Sequence, residues 1–137
     1  MKRYLILVFS LLLSCEDDSN KELTLLETNG LIGSWKLVET YLDPGGGGID
    51  WNTVDNGDIF KFDDDGKYRR TNTFENIFNS SGDYVFEEGL LELSYTNDGE
   101  EMEENFSVQM SEDTMVLSPA GPRFCIEACL YRYKRIN

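Results

Sequence analysis

The chain has 137 residues, with 26 acidic against 12 basic side chains, no histidine and a net charge of −14. That balance excludes nucleic acid and a basic patch for anionic lipid, because both need a positive footprint. Without histidine the commonest general base and the commonest transition-metal ligand are gone, so no catalytic residue, metal site or cofactor is expected.

Met1-Lys2-Arg3 opens the chain with positive charge, and residues 4–13 form an apolar run. A membrane helix needs roughly 17–25 apolar residues, so this run is too short to span and reads as a secretory signal. It ends in Leu12-Leu13-Ser14-Cys15, which resembles the lipobox of bacterial lipoproteins. The resemblance implies that residues 1–14 are cleaved off, that Cys15 carries diacylglycerol and an acylated amino group, and that the protein meets a membrane through this lipid. Several acyl chains anchor stably where one binds only marginally. The alternative is an ordinary secreted protein in which Cys15 stays a thiol.

Residues 15–27 follow as a tether whose polar start buries too little surface to fold. Its acidic run, Glu16-Asp17-Asp18, resembles the export signal of Bacteroidota lipoproteins and implies display on the outer face of the outer membrane. A periplasm-facing anchor is the alternative. Loss of Lys2 and Arg3 leaves the domain still more acidic, which keeps a crowded surface protein soluble and self-repelling.

From residue 34 onward, short alternating runs are separated by turn residues, the pattern of an all-β barrel or β-sandwich. Strands are expected at 34–42, 59–62, 67–75, 84–87, 90–95, 104–110, 114–118 and 129–136. Asp65-Gly66 and Glu88-Gly89 read as tight turns, "TNDGEE" at 96–101 turns into the 104–110 run, and "NSSGD" at 79–83 leads into the 84–87 run. Such connections make an antiparallel meander. Eight strands lose their exposed edges by closing into an up-and-down barrel, with room for side chains or one small ligand.

The stretch "LIGSWKLVE" at 31–39 resembles the opening Gly-x-Trp motif of the calycin and lipocalin group. Residues 28–137 as a whole are similar to the lipocalin-like domains of Bacteroidota lipoproteins, including "FKFDDDGKY" at 60–68 and the final cysteine pair followed by "YRYKRI". The resemblance implies a single eight-stranded lipocalin-like barrel closed at its floor by Gly33 and Trp35, with a basic residue of the last strand over the tryptophan. Arg135 shares a face with Tyr131 and Tyr133 and is the first candidate; Arg132 is the second. The Thr-Asp-Tyr motif of typical lipocalins is absent.

Alternation turns Trp35, Tyr41, Phe60, Phe62, Tyr68, Phe74, Tyr84, Phe86, Tyr95, Phe106, Tyr131 and Tyr133 inward. They form either the wall of a ligand cavity or a filled core. Arg70 or Asn72, on the Tyr68 and Phe74 face, would orient an acidic group of a ligand if that face is buried; the alternative is that the face points to solvent and Arg70 has no such role. The Gly-rich loop 43–57 carries Trp51 and Ile49 and reads as a lid over the open end or as a contact for another envelope protein.

Cys125 and Cys129 would lie roughly 13 Å apart in an extended chain, beyond the reach of a disulfide at under ~7 Å. A turn between them allows one, and an oxidising envelope favours it over two free thiols. "DDDG" at 63–66 lacks the alternating ligand spacing of a calcium loop and reads as a hairpin turn. The expected function is therefore a non-catalytic, envelope-anchored binder of a small apolar or amphiphilic ligand. A filled barrel that docks another envelope protein through its rim loops is the alternative.

Overall fold

The computed structural model describes residues 30–47, 49–72 and 79–137. The expected signal, Cys15, the tether and Phe74 lie outside the described residues. Among the described residues nine strands follow in order: β1 (Gly33–Asp43), β2 (Asn52–Thr53), β3 (Ile59–Phe62), β4 (Lys67–Thr71), β5 (Ser80–Glu87), β6 (Leu90–Asn97), β7 (Glu100–Met110), β8 (Thr114–Gly121) and β9 (Ala128–Arg135).

From β3 to β9 each strand pairs antiparallel with the next. One edge of β1 pairs with β3, and the other pairs with β9 from Trp35↔Arg135 to Asp43↔Ala128. That last ladder closes an eight-stranded barrel and leaves no free sheet edge along it. The two residues of β2 add to β1 beside Glu39 and Thr40 and are not a barrel stave.

The tight turns follow local chemistry. Glu88-Gly89 have φ of 51° and 75°, and Asp98-Gly99 have φ of 51° and 85°. Paired left-handed residues make the two-residue hairpin whose twist matches the flanking strands. At 63–66 the Asp65 carboxylate accepts the Lys67 amide at 3.1 Å and Gly66 takes φ +78°.

The strand expected at 84–87 begins earlier, at Ser80. Residues 80–83 of "NSSGD" pair with β4, from Arg70↔Ser80 to Lys67↔Asp83. Gly82 is there for space, not for a bend: a Cβ on it would fall 1.9 Å from the Ser94 carbonyl oxygen. The ladder overrides turn composition.

A bulge between Leu37 and Glu39 changes the facing of β1. Leu37 sits opposite buried Tyr133, but beyond the bulge Glu39 sits opposite Arg132 and Tyr41 opposite Leu130. Because paired residues share a face, and one extra residue flips the face, Tyr41 points out of the barrel and not in. The core fills the other half, with Leu31, Trp35, Phe60, Phe62, Tyr84, Phe86, Leu91 and Met115 among its buried members. Phe60 and Phe62 stack at 5.4 Å, and Phe62 meets Tyr84 edge-on at 5.1 Å.

Candidate functional site

The two ends of the barrel are built differently. At the closed end Trp35 is fully buried, and its indole Nε1 donates to the Leu31 carbonyl at 2.8 Å. The Arg135 guanidinium lies over the indole ring, and its Nη1 donates to the Ile32 carbonyl at 2.8 Å. The same side chain reaches the carbonyls of Gly30 and Glu112. Gly33 has φ +131°, and a Cβ there would sit 2.7 Å from Arg135 Nη1. The floor closes on a residue without a side chain.

At the other end lies a cavity of about 320 Å³. Phe106, Leu117, Pro119 and Tyr131 wall it from β7, β8 and β9, and residues 122–125 pass over it. Cys125 and Cys129 both line it and are joined by a disulfide across a Cα separation of 5.8 Å. That bond ties the overlying loop to the start of β9.

The cavity has a polar base. Arg70 Nε donates to Asp58 Oδ2, and Arg70 Nη1 lies 3.5 Å from Glu104 Oε2. The Tyr133 hydroxyl donates to Asp58 Oδ1 at 3.2 Å, and the Tyr95 hydroxyl donates to Glu104 Oε1 at 3.1 Å. Arg70 also lies 5.0 Å from the centroid of the Phe60 ring. Asp58 is 6% exposed; a carboxylate that buried persists because it is paired.

Burial and, second, the Asp58 carboxylate push the Tyr133 phenol well above its ordinary range. Burial and then Glu104 push Tyr95 up to about 12. Burial works to lower the Arg70 pKa, but Tyr133, Asp58 and Glu104 together raise it. Among the described residues, the base and the groups behind it therefore bring together the Arg70 cation, two acidic side chains and, at neutral pH, protonated phenols.

Of the residues expected to bind a ligand, Arg70, Phe106, Tyr131 and Tyr133 meet at the cavity. Trp35, Phe60, Phe62, Tyr68, Tyr84 and Phe86 instead fill the core. Tyr41 and Trp51 lie on the outer wall, 5.7 Å apart by ring centroids. Arg132 covers Trp51 at 3.7 Å and pairs with Glu39, so it serves the outer wall and not Trp35.

The expected lid is corrected in the same way. Hydrogen bonding of β2 to β1 carries Trp51 along the wall instead of over the mouth. Arg70 does face inward, and its charge is engaged by Asp58 and Glu104.

Glu104, Asn105, Leu117, Pro119 and residues 122–124 line the cavity without having been expected there, and neither was Asp58, which pairs with Arg70 from behind and does not line it. For two of them a signal existed. Asp58 is two residues before inward Phe60, and Glu104 two before inward Phe106, so period-two alternation places both carboxylates inside. Among the described residues no group of three or more histidine, cysteine, aspartate or glutamate side chains is placed to hold a metal ion.

Residues 31–117 match a family model described as a lipocalin-like domain. A lipocalin-like protein of Bacteroides uniformis superposes with a TM-score of 0.55 at 15% identity, covering 77% of this chain and 98% of that one. An uncharacterised protein of Bacteroides eggerthii superposes with the same TM-score at 14% identity, covering 76% and 98%. No curated protein matches the chain.

Proposed function

The chain belongs to the lipocalin-like domain family, and from that premise we propose that it is an envelope-anchored, non-catalytic protein holding one small, largely apolar ligand in the open half of its barrel. The observation that carries this reading is the cavity of about 320 Å³ beside an otherwise filled core. Its volume falls at the lower end of the roughly 300–1,000 Å³ of ligand pockets, and its apolar walls with few polar groups fit their make-up. Support for the anchor is the Leu12-Leu13-Ser14-Cys15 sequence, and support for outer-face display is the acidic run after it.

The test is a titration of the Cys15→Ala protein with an environment-sensitive apolar fluorophore. Saturable one-site binding that weakens several-fold on Phe106→Ala is the expected result. Absence of saturable binding, or binding indifferent to Phe106→Ala, removes the cavity from the function. Membrane fractionation tests the anchor: Cys15→Ala should move the protein to the soluble fraction, and a protein that still sediments with membranes is not held by lipid on Cys15.

One observation favours a second reading, a rim that docks another envelope protein. Phe124 is 74% and Ile126 97% exposed, on the disulfide-tied loop at the mouth. Exposed apolar residues at a rim mark contact sites, so the docking surface would be this loop and not Trp51. Site-specific crosslinking from position 126 separates the readings, since a pure ligand carrier captures no partner there.

A further inference from the structure

We infer that the ligand presents a hydrogen-bond-donating head group, an amine or an alcohol rather than a carboxylate, and that Glu104 receives it. The inference rests on the cavity reading above and names the chemistry of that same site. Two observations carry it.

The first is charge. Arg70 is the cation at the base of the cavity, and two carboxylates already face it, Asp58 through Nε and Glu104 through Nη1. Arg123 also lines the cavity, but it is exposed at the rim, where solvent and salt screen it. A ligand carboxylate driven to the base meets Glu104 on the lining and Asp58 behind Arg70, and like charges brought together disfavour its binding.

The second is acceptor capacity. An ionised carboxylate only accepts, at about four lone-pair sites. Among the described residues Glu104 takes one hydrogen bond from Tyr95 and a loose contact of 3.5 Å from Arg70, the latter too long for a good hydrogen bond. Its side chain is 20% exposed and borders the cavity.

Phe106, Phe124 and Tyr131 complete the lining. Their rings suit an alkyl chain and also attract an ammonium group.

The experiment is displacement of the bound fluorophore from the Cys15→Ala protein at neutral pH by octylamine, octanol and octanoate, which differ only at the head. Octylamine and octanol should displace it, and octanoate should be weaker by about ten-fold or more. Glu104→Gln, with folding checked by its circular dichroism melt, should bring the three within a few-fold of one another. Glu104→Asp keeps the carboxylate and should keep the preference. Octanoate displacing as well as the others overturns the head-group inference and leaves the cavity standing, as does a preference unchanged in Glu104→Gln. A fluorophore that never binds removes the cavity reading itself, and the inference with it.

Discussion

The guanidinium carbon of Arg135 lies 4.1 Å from the centroid of the Trp35 ring, at the register position where β1 and β9 pair these two residues. The last strand thus caps the first at the point of closure. The Arg135 planar fork also ties down carbonyls from residues before β1, which lysine cannot match with one ammonium. Trp35→Ala should cost about 3–5 kcal/mol, as for other buried aromatics. Arg135→Lys should cost about 1–3 kcal/mol through lost charged hydrogen bonds. Denaturant melts check both, and a Trp35→Ala loss under about 1 kcal/mol would exclude it from the core.

Gly33 shares that closure. Its φ of +131° is one that side chains rarely adopt, and an added Cβ meets both Arg135 and the Asn137 carbonyl oxygen. Gly33→Ala should lower stability by more than about 1 kcal/mol, the usual size of a compatible glycine replacement, and with the opposite sign. In a double-mutant cycle, Gly33→Ala should cost less in an Arg135→Ala background than in the native one, because one of the two clashes is then gone. An equal Gly33→Ala cost in both backgrounds would put the strain wholly in the backbone.

The Asp58–Arg70 pair predicts an asymmetry between single and double substitution. Arg70→Met leaves the buried Asp58 carboxylate with the Tyr133 hydroxyl as its remaining described side-chain partner. Removing one partner of a buried pair costs about 3–5 kcal/mol. Asp58→Asn in the same chain removes the uncompensated charge and should restore most of that loss. A double variant no more stable than Arg70→Met would show that Asp58 is not the source of the penalty.

Alkaline pH should destabilise the barrel before the backbone chemistry suffers. Burial, chiefly, raises Tyr68, Tyr84, Tyr95 and Tyr133, with Tyr95 moved from 10.0 to about 12. A folded-state pKa above the unfolded value gives stability that is complete below the unfolded pKa and lost as pH rises through the folded one. For Tyr95 that window runs from pH 10 to about 12. Phenolate absorbance should therefore appear in two stages, the second coinciding with loss of the circular dichroism signal. A single titration step near pH 10 for all tyrosines would contradict the burial of these four.

The disulfide should matter more for the mouth than for global stability. Cys125 and Cys129 are four positions apart, and so short a loop constrains little unfolded-chain entropy, about 2 kcal/mol. The double variant Cys125→Ser with Cys129→Ser should lose no more than about that amount in a denaturant melt. Both sulfurs line the cavity and fasten the loop above it, so fluorophore affinity should fall several-fold. Unchanged affinity would mean that the loop holds its place without the bond.

Several parts of this protein were legible in the residues themselves. The alternation in "IFKF" and "LLELSY" matches the buried positions of β3 and β6, and Glu88-Gly89 turns where a left-handed pair is needed. Period two and turn chemistry are local, so they survive in any fold that uses them. Gly33, Trp35 and Arg135 came together only through a family resemblance, because nothing local tells residue 35 that its neighbour is residue 135. The eight strands and the family were within reach of the sequence.

The site was only half legible. Tyr41 shares a period with Trp35 and Leu37, yet the bulge after Leu37 turns it outward to pack at a tilt against Trp51. An extra residue in one strand is registered only against its partner strand, so alternation within β1 could not reveal it. Asp58 and Glu104 do sit at inward positions of their runs, but sequence alone does not show that Arg70 stands between them. Whether aromatics fill a barrel or leave a cavity depends on the side-chain volumes that eight strands bring to one layer, a sum over residues far apart in the chain. Composition, charge and alternation determined the acidic, β-rich chain that closes on itself; only the tertiary pairing decided which half is packed solid and which half is open.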